Sequence, residues 1–195
     1  MIATIRDVLF PAQCAGCDAF GEGLCERCFP HAAPLDVPLP TLQVRALGAY
    51  EDALRHAILA LKDGRRDVAE ALGERLAELL ERNMLLVPVP TSRLRRRMRG
   101  FDGGVLLARI AAHQAGAQVL EALERCSNVA QHGRSRAERL AARNRFRCSA
   151  KTLEGVSVVL IDDVVTTGAS LEDCAAELRR VGAVVRDAVV AAAAL

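Results

Sequence analysis

The stretch VVLIDDVVTTGAS, residues 158–170, joins an apolar run to two adjacent acids and a loop of small residues. The β-branched run from 156 to 161 is typical of a central strand in a parallel sheet, because such a strand is buried on both faces. Asp162 and Asp163 follow at the predicted carboxyl end of this strand. Ligands of open α/β sheets bind at that edge, so the two acids are candidate site residues.

The loop after the aspartates leads into a predicted helix. Apolar residues recur at helical spacing from Leu171 to Val181, and Gly182 ends the pattern. Ser170, with Asp173 three residues later, is the predicted capping pair at the start of this helix. A second β-branched run follows, so this part of the chain is predicted to be strand, loop, helix and strand, the unit of α/β folds.

The aspartates and the loop suit two chemical groups of one ligand. A helix N-terminus presents free amides and a partial positive charge, and Gly168 allows close approach of the backbone, so residues 166–170 suit a phosphate. Carboxylates instead accept hydrogen bonds from vicinal hydroxyls or hold Mg²⁺ against a sugar phosphate. Together they predict a ribose 5-phosphate site. The alternative is a pair of capping acids before an ordinary turn.

The composition is that of a folded protein with segregated charge. The 195 residues, 51% hydrophobic, suffice for one main domain and a small appendage. The sequence contains no signal-peptide pattern or membrane-spanning run, so we expect a soluble, cytoplasmic protein. Residues 93–147 contain thirteen Arg and four acids, a local charge of +9 in a chain of net charge +2. This segment indicates an anionic partner, unless it is a solvated helical face.

Four of the seven cysteines form two C-x-x-C pairs, at Cys14, Cys17, Cys25 and Cys28. Each pair can supply two thiolates to one ion, and two pairs complete a tetrahedral shell with no open position. The spacing therefore predicts a structural Zn²⁺ site, with Gly16 letting backbone amides turn toward the sulfurs. Disulfides are the alternative, but nothing in the sequence indicates secretion.

A Pro-rich stretch follows the cysteines. It has four prolines in residues 30–40, which exclude a helix or a central strand and predict a linker. The chain is therefore divided into an N-terminal zinc-binding module with its linker, residues 1–40, and a main α/β domain, residues 41–195.

A further apolar run, Met84–Val89, predicts another buried strand. A constrained loop, Thr91 to Arg93, follows it. Five of the seven residues from 93 to 99 are Arg, and crowded like charges favour a loop that stays mobile until it closes over a polyphosphate. An exposed basic turn is the alternative.

These motifs together resemble a known family. VVLIDDVVTTGAS resembles the phosphoribosyl pyrophosphate signature of type I phosphoribosyltransferases. With the paired C-x-x-C module, the LKDG stretch around Lys62, VPVP and RGF, essentially the whole chain resembles the ComF/GntX family, which is associated with competence. The resemblance implies a type I phosphoribosyltransferase fold with a five-stranded, mainly parallel sheet flanked by helices, and a small N-terminal four-cysteine module like a zinc ribbon.

The resemblance also implies a ligand, phosphoribosyl pyrophosphate with Mg²⁺ or a nucleotide, and roles for residues. The ribose hydroxyls would be contacted by Asp162 and Asp163. The 5′-phosphate would be bound by Thr166, Thr167, Gly168, Ala169 and Ser170. The pyrophosphate loop would contain Thr91, Ser92 and Arg93, with residues 95–99 as the mobile loop and Arg99 as a catalytic residue.

Some positions depart from the family pattern. Asp102 and Gly103 replace the usual Asn and Gln after RGF, and Ala142 replaces an Asn, although Gln131 and Arg139 fit. Thr166 stands where relatives that use 6-oxopurines have Asp. A general base for a purine nitrogen is then missing, which argues against that substrate class.

The implied reaction is displacement of pyrophosphate from C1 of the ribose by a nitrogen nucleophile. Mg²⁺, arginines and backbone amides would stabilise the leaving group. The alternative is a non-catalytic accessory protein that handles single-stranded DNA in natural transformation, its basic segment and Cys module contacting the DNA backbone or a DNA-uptake helicase. The five Phe, one Tyr and no Trp give few stacking platforms for that role.

Overall fold

The computed structural model describes residues 11–29, 34–126 and 145–194. The main sheet consists of β1 (Leu35–Pro38), β2 (Gln43–Ala46), β3 (Leu85–Pro88), β4 (Gln118–Val119), β7 (Ser157–Val165) and β8 (Val184–Ala193). A separate two-stranded ribbon consists of β5 (Leu123–Arg125) and β6 (Phe146–Cys148). The helices are α1 (Asp52–Lys62), α2 (Arg66–Ala77), α3 (Arg93–Arg99), α4 (Gly103–Ala115) and α5 (Ala169–Arg180).

The strands of the main sheet lie in the order β1-β2-β8-β7-β3-β4. The last five of these are mutually parallel, and β1 pairs with β2 in antiparallel orientation at one edge. The predicted α/β fold with a mainly parallel sheet is confirmed, and β1 adds a sixth strand. β1 lies in the Pro-rich stretch, at the edge position where the missing amide of Pro38 is tolerated. The division of the chain at residue 40 stays a prediction.

The order of the strands reverses between β3 and β7. From β3 the chain continues to β4 on one side, and from β7 it continues to β8 on the other. Crevices outside the carboxyl ends of strands at such a reversal are the usual ligand sites of open α/β sheets. The sheet therefore places its crevice next to the stretch of residues 158–170.

The strand β7 is longer than predicted. Its pairing with β3 ends at Pro88 and Ile161, but its pairing with β8 continues to Val165. The two aspartates thus lie inside the strand rather than after it, beyond the end of β3 and beside its carboxyl-terminal edge. β8 supplies the extra hydrogen bonds, which the amino-acid pattern of β7 does not show.

The sheet is buried on both faces, as predicted for its central strand. Val158 and Leu160 pack in a cluster with α5 and the β5–β6 ribbon. Val159 and Ile161 pack in a second cluster with α1, α2, α4 and the stretch that contains Cys14. Within the described residues, no helix is long and apolar enough to cross a bilayer.

Two local predictions are wrong. The Arg-rich segment is the helix α3, not a loop, because Ser92 Oγ accepts the Arg95 amide and Gly100 ends the helix at φ 78°. The N-cap of α5 is Gly168, not Ser170, and Gly168 has no side chain to accept the first amides. The predicted positions Gln131, Arg139 and Ala142 lie outside the described residues.

Candidate functional site

The two aspartates lie in the crevice beyond β3. Asp162 Oδ1 accepts a hydrogen bond from the Asp163 amide at 2.8 Å, and Asp163 Oδ2 lies 4.0 Å from Lys62 Nζ. Lys62 is the last residue of α1, so its ammonium comes from a different element. Burial of the carboxyl, with the nearby charge of Asp163, raises the pKa of Asp162 well above its usual range. The buried pair has one ammonium close to it, so a further cation or hydroxyl donors at Asp162 would favour its ionised form.

The loop after β7 leads into α5, whose first residues line a cavity at the sheet edge. Gly168 has φ 72°, and a Cβ on it would lie 2.5 Å from the Leu39 side chain. This backbone costs an L-residue free energy but not glycine. The cap residue has no side-chain acceptor, and the Ala169 amide makes only a long contact, 3.5 Å, with Thr167 Oγ1. The first amides of α5 thus lie at the edge of a cavity, where the N-terminus of the helix adds a partial positive charge.

The loop after β3 forms the opposite wall. The Thr91 amide donates to Asp102 Oδ2 at 3.1 Å, and the Val105 amide donates to Asp102 Oδ1 at 3.5 Å. Asp102 is the N-cap of α4, so one carboxylate both starts this helix and holds the loop. The departure from the family pattern at this position thus has a structural role.

Only some residues of the predicted pyrophosphate loop, 91–93, and of the predicted mobile loop, 95–99, line the crevice. Thr91, Arg95 and Arg99 do, whereas Arg93 is an exposed first residue of α3. The Ser92 hydroxyl is used as the helix cap. The helix thus turns two of its arginines, four residues apart, toward the aspartates.

The crevice consists of two adjoining cavities. The larger, about 230 Å³, is lined by four cations and the two aspartates: Lys62, Arg95, Arg99, Arg125, Asp162 and Asp163. The smaller, about 190 Å³, is lined by Thr166, Thr167, Gly168, Ala169 and Ser170, with Arg145. Asp162, Val164, Thr166 and Ser170 border both cavities. An elongated anion with a polar middle and charged ends matches this distribution.

Three of these cations were not singled out as ligand residues from the sequence. In the sequence, Lys62 belongs to a family motif that assigns it no role, and Arg125 and Arg145 belong to the basic segment. Helical spacing places Lys62 at the end of α1, but only the tertiary structure places that end against Asp163. The sequence pointed to Arg145 only as one of the thirteen arginines of the +9 segment, so it could not be told apart from the others as a site residue.

A different cavity, of about 430 Å³, lies between α2 and the Cys stretch. Six carboxylates and one arginine line it: Glu22, Glu26, Asp67, Glu70, Glu74, Glu78 and Arg75. Like charges repel an anion, so this cavity does not suit a phosphate ligand.

The four predicted metal ligands come together. The sulfurs of Cys14, Cys17, Cys25 and Cys28 all lie within 4.8 Å of one another, and Cys17 and Cys25 are separated by 3.8 Å. A tetrahedral Zn²⁺ with bonds of about 2.3 Å requires sulfurs about 3.8 Å apart. The cluster therefore fits a metal ion.

The environment of the sulfurs also fits thiolate ligands. The amides of Gly16 and Cys25 both donate to Cys14 Sγ, each at 3.4 Å. Hydrogen bonds from the Ala19 backbone and from Arg27 lower the pKa of Cys17 to about 6. A hydrogen bond with Cys17 raises the pKa of Cys28 to about 12. Four sulfurs at this spacing cannot all ionise unless a cation lies among them.

The cluster is attached to the main sheet's helical layer. A Cβ on Gly16 would lie 2.9 Å from Ala53 Cβ and 3.0 Å from Cys28 Sγ, so only glycine fits between the knuckle and α1. Cys14 itself is fully buried in the cluster that includes Ile58 and Leu61 of α1. The Cys cluster therefore packs against α1, the helix that ends at Lys62.

The chain is similar in sequence to proteins of Salmonella and Bacillus. The chain is 30% identical to the DNA utilization protein YhgH of Salmonella typhimurium, over 82% of this chain and 79% of that protein. It is 26% identical to the competence protein ComFC of Bacillus subtilis, over 77% of this chain and 63% of that protein. The chain thus spans less than two thirds of the length of the Bacillus relative. No protein-family model matches it.

Among solved structures, the chain is similar to the glutamine phosphoribosylpyrophosphate amidotransferase from B. subtilis, complexed with ADP and GMP. The TM-score is 0.49 and the identity 21%, over 68% of this chain and 30% of that one. The allosteric regulatory enzyme of purine biosynthesis is similar at the same TM-score, with 20% identity.

Proposed function

The chain belongs to the ComF family, and from that membership and its sheet-edge site we propose that it binds phosphoribosyl pyrophosphate with Mg²⁺ in the crevice between β3 and β7. The observation that carries the proposal is the pair of adjoining cavities with the aspartates between them. The smaller cavity takes the 5′-phosphate, the aspartates take the ribose hydroxyls, and the cations of the larger cavity take the diphosphate.

The charges support this orientation. Four cations face two carboxylates in the larger cavity, which suits a diphosphate better than a neutral group. In the smaller cavity the amides at the start of α5 meet a single phosphate. A nucleotide would bind in the same smaller cavity. We therefore expect nucleotides to compete with phosphoribosyl pyrophosphate and to bind more weakly.

The residues present fit a Mg²⁺ ion. Carboxylate oxygens are preferred ligands of this ion, and a bound cation would favour the ionised form of Asp162, whose pKa is raised chiefly by burial. Asp162 and Asp163 would hold the ion together with oxygens of the ligand. When bound, Mg²⁺ supplies neutralisation of the diphosphate charge.

The proposed reaction is transfer of the phosphoribosyl group to a nitrogen acceptor. The bond from C1 to the pyrophosphate oxygen breaks, its electron pair leaves with pyrophosphate, a bond from C1 to nitrogen forms, and the acceptor nitrogen loses a proton. Arg99, Arg95 and Lys62 stabilise the charge that develops on the leaving group. Thr166 lies at the junction of the cavities without a carboxylate, so the acceptor is not a 6-oxopurine.

Isothermal calorimetry with phosphoribosyl pyrophosphate and Mg²⁺ tests the binding step. We expect a heat of binding in the wild type and its loss, by about 100-fold or more in affinity, in the double variant Asp162→Asn, Asp163→Asn, because two charge-assisted contacts are removed. Unchanged affinity in that variant, or no binding in the wild type, would contradict the proposal. A pyrophosphate-release assay with candidate amines then tests turnover.

A second candidate function is the handling of single-stranded DNA, which the printed names of the relatives suggest. The observation that favours it is the outer surface of α3. Arg93, Arg96 and Arg97 do not line the crevice, and Leu94 and Met98 are 68% and 79% exposed. Binding to a single-stranded oligonucleotide that weakens steeply with salt and survives loss of both aspartates would favour this function.

We also propose that the metal of the Cys cluster is Zn²⁺ with a structural role, because four thiolates leave no open position for a substrate. Metal analysis of the purified protein should give one zinc per chain. A substoichiometric content with oxidised thiols would contradict the assignment.

A further inference from the structure

The β5–β6 ribbon is attached to the helix that begins at the phosphate loop. Glu177 of α5, only 7% exposed, accepts a hydrogen bond from the Cys148 amide at 3.0 Å. Phe146 of the ribbon is 1% exposed and packs in the same cluster as Leu171 of α5. The ribbon and the loop at the start of α5 are therefore held in a fixed relation.

The residue directly before β6, Arg145, lies at the smaller cavity. Its Nε donates to Asp173 Oδ2 of α5 at 2.6 Å. An arginine has five N–H donors, so this contact leaves its terminal nitrogens for a second acceptor. Among the described residues that line the smaller cavity, Arg145 is the single cation.

The last residue of β5, Arg125, lies at the larger cavity. Its guanidinium is 5.3 Å from the centre of the Phe146 ring, a cation–π contact within the ribbon. The ribbon thus directs one arginine to each cavity. Asp173 orients Arg145 and Phe146 orients Arg125, and a bound ligand would replace neither contact.

We propose that the ribbon supplies two specificity-determining arginines to the ligand, Arg145 to the 5′-phosphate and Arg125 to the diphosphate. Asp173 is a positioning residue for Arg145. This inference rests on the proposed function, since it names further contacts of the same ligand. It assigns phosphate recognition to a segment that lies outside the stretch 158–170.

The test uses ribose 5-phosphate and Mg²⁺-pyrophosphate as separate calorimetric probes of the two cavities. We expect Arg145→Gln to weaken ribose 5-phosphate by about 10- to 100-fold, the range for losing a hydrogen bond to a charged group, and to change pyrophosphate affinity less than about threefold. Arg125→Gln should give the opposite pattern. Asp173→Asn should weaken ribose 5-phosphate by about three- to tenfold with Arg145 still present.

Arg147→Gln is the matched control, because Arg147 is an exposed arginine of the same ribbon, outside both cavities. It should bind both probes like the wild type. If Arg145→Gln does not fold, Arg145→Lys keeps the charge and loses the fork of donors, and it should show the same selective loss at smaller size.

The outcomes separate the two claims. The inference is overturned if Arg145→Gln loses affinity equally for both probes, or loses affinity for neither. The proposed function still stands in that case if binding of phosphoribosyl pyrophosphate depends on the aspartates. If the wild type binds neither probe nor phosphoribosyl pyrophosphate, both claims fall.

Discussion

The Cys cluster and the crevice between β3 and β7 are built in opposite ways. All four sulfurs come from fifteen consecutive residues, and they lie within 4.8 Å of one another. The crevice takes its side chains from α1, the loop after β3, α3, β5, β7 and the start of α5. A local site depends on turns that a short sequence encodes, whereas a distributed site depends on strand order and on the packing of helices.

The first test of this difference removes one proposed zinc ligand from the local site. Cys17→Ser replaces an exposed ligand, so its effect comes from the lost metal bond and not from repacking. We expect loss of most of the zinc and a thermal midpoint lower by about 10 °C, because structural zinc contributes folding free energy directly. Zinc content and differential scanning calorimetry measure both effects.

The matched control is Cys126→Ser, because Cys126 is a free cysteine outside the cluster. This variant should have the zinc content and the thermal midpoint of the wild type. If Cys17→Ser also abolishes ligand binding at the crevice while the chain stays folded, the two regions are coupled. The contact of Gly16 with α1, which carries Lys62, would then be the route.

The second test strains the crevice without changing a charge. Gly168→Ala puts a Cβ at φ 72° and 2.5 Å from Leu39, so we expect a loss of about 1 to 3 kcal/mol of stability and weaker binding of ribose 5-phosphate. Gly116→Ala has a similar φ of 68° with nothing within 4 Å of the new Cβ. It should lose only the backbone contribution, about 1 kcal/mol, and bind normally. Urea unfolding and calorimetry compare the two variants, and equal effects on binding would contradict a role for the loop.

The smallest expected effect distinguishes two carboxyls by the sign of their pH dependence. The pKa of Asp162 is raised by burial and by Asp163. Its ionisation therefore lowers the stability of the fold as the pH rises above the pKa that this carboxyl has in the unfolded chain. The pKa of Glu177 is lowered, chiefly by its hydrogen bonds with Arg180, so its contribution is present above the unfolded value and is lost as pH falls.

At pH 7, Asp162→Asn should therefore be more stable than the wild type, and Glu177→Gln less stable by about 1 kcal/mol or less, since Arg180 is largely exposed. Toward pH 4 both differences should shrink. Urea unfolding across this range measures them. An Asp162→Asn variant that is less stable than the wild type at pH 7 would show that this carboxylate supports the fold instead of serving a ligand.

Much of the main domain was predictable from residue patterns. The central strand, the helix after it and the parallel arrangement follow from apolar runs of strand length that alternate with helical spacing. The strand's true end was not predictable, because β8 extends the pairing past Ile161 to Val165. The predicted cap of α5 was also wrong. Ser170 is a good capping residue, but the αL turn at Gly168 starts the helix two residues earlier.

The charged residues show the same limit. Repulsion among neighbouring arginines favoured a loop at residues 93–99, yet arginine is a good helix former and Ser92 caps the helix. The packing then decides which of these arginines face the crevice: Arg95 and Arg99 do, and Arg93 does not.

The sequence by itself determined the cysteine cluster, the α/β class and the place of residues 162–170 at the sheet edge, because each follows from a pattern of residues close in the chain. Only the tertiary structure brought Lys62, Arg125 and Arg145 to the two aspartates and the loop of this stretch. These contacts join elements up to about a hundred residues apart, and their geometry follows from the order of the strands and from the burial of both sheet faces, which no local pattern encodes.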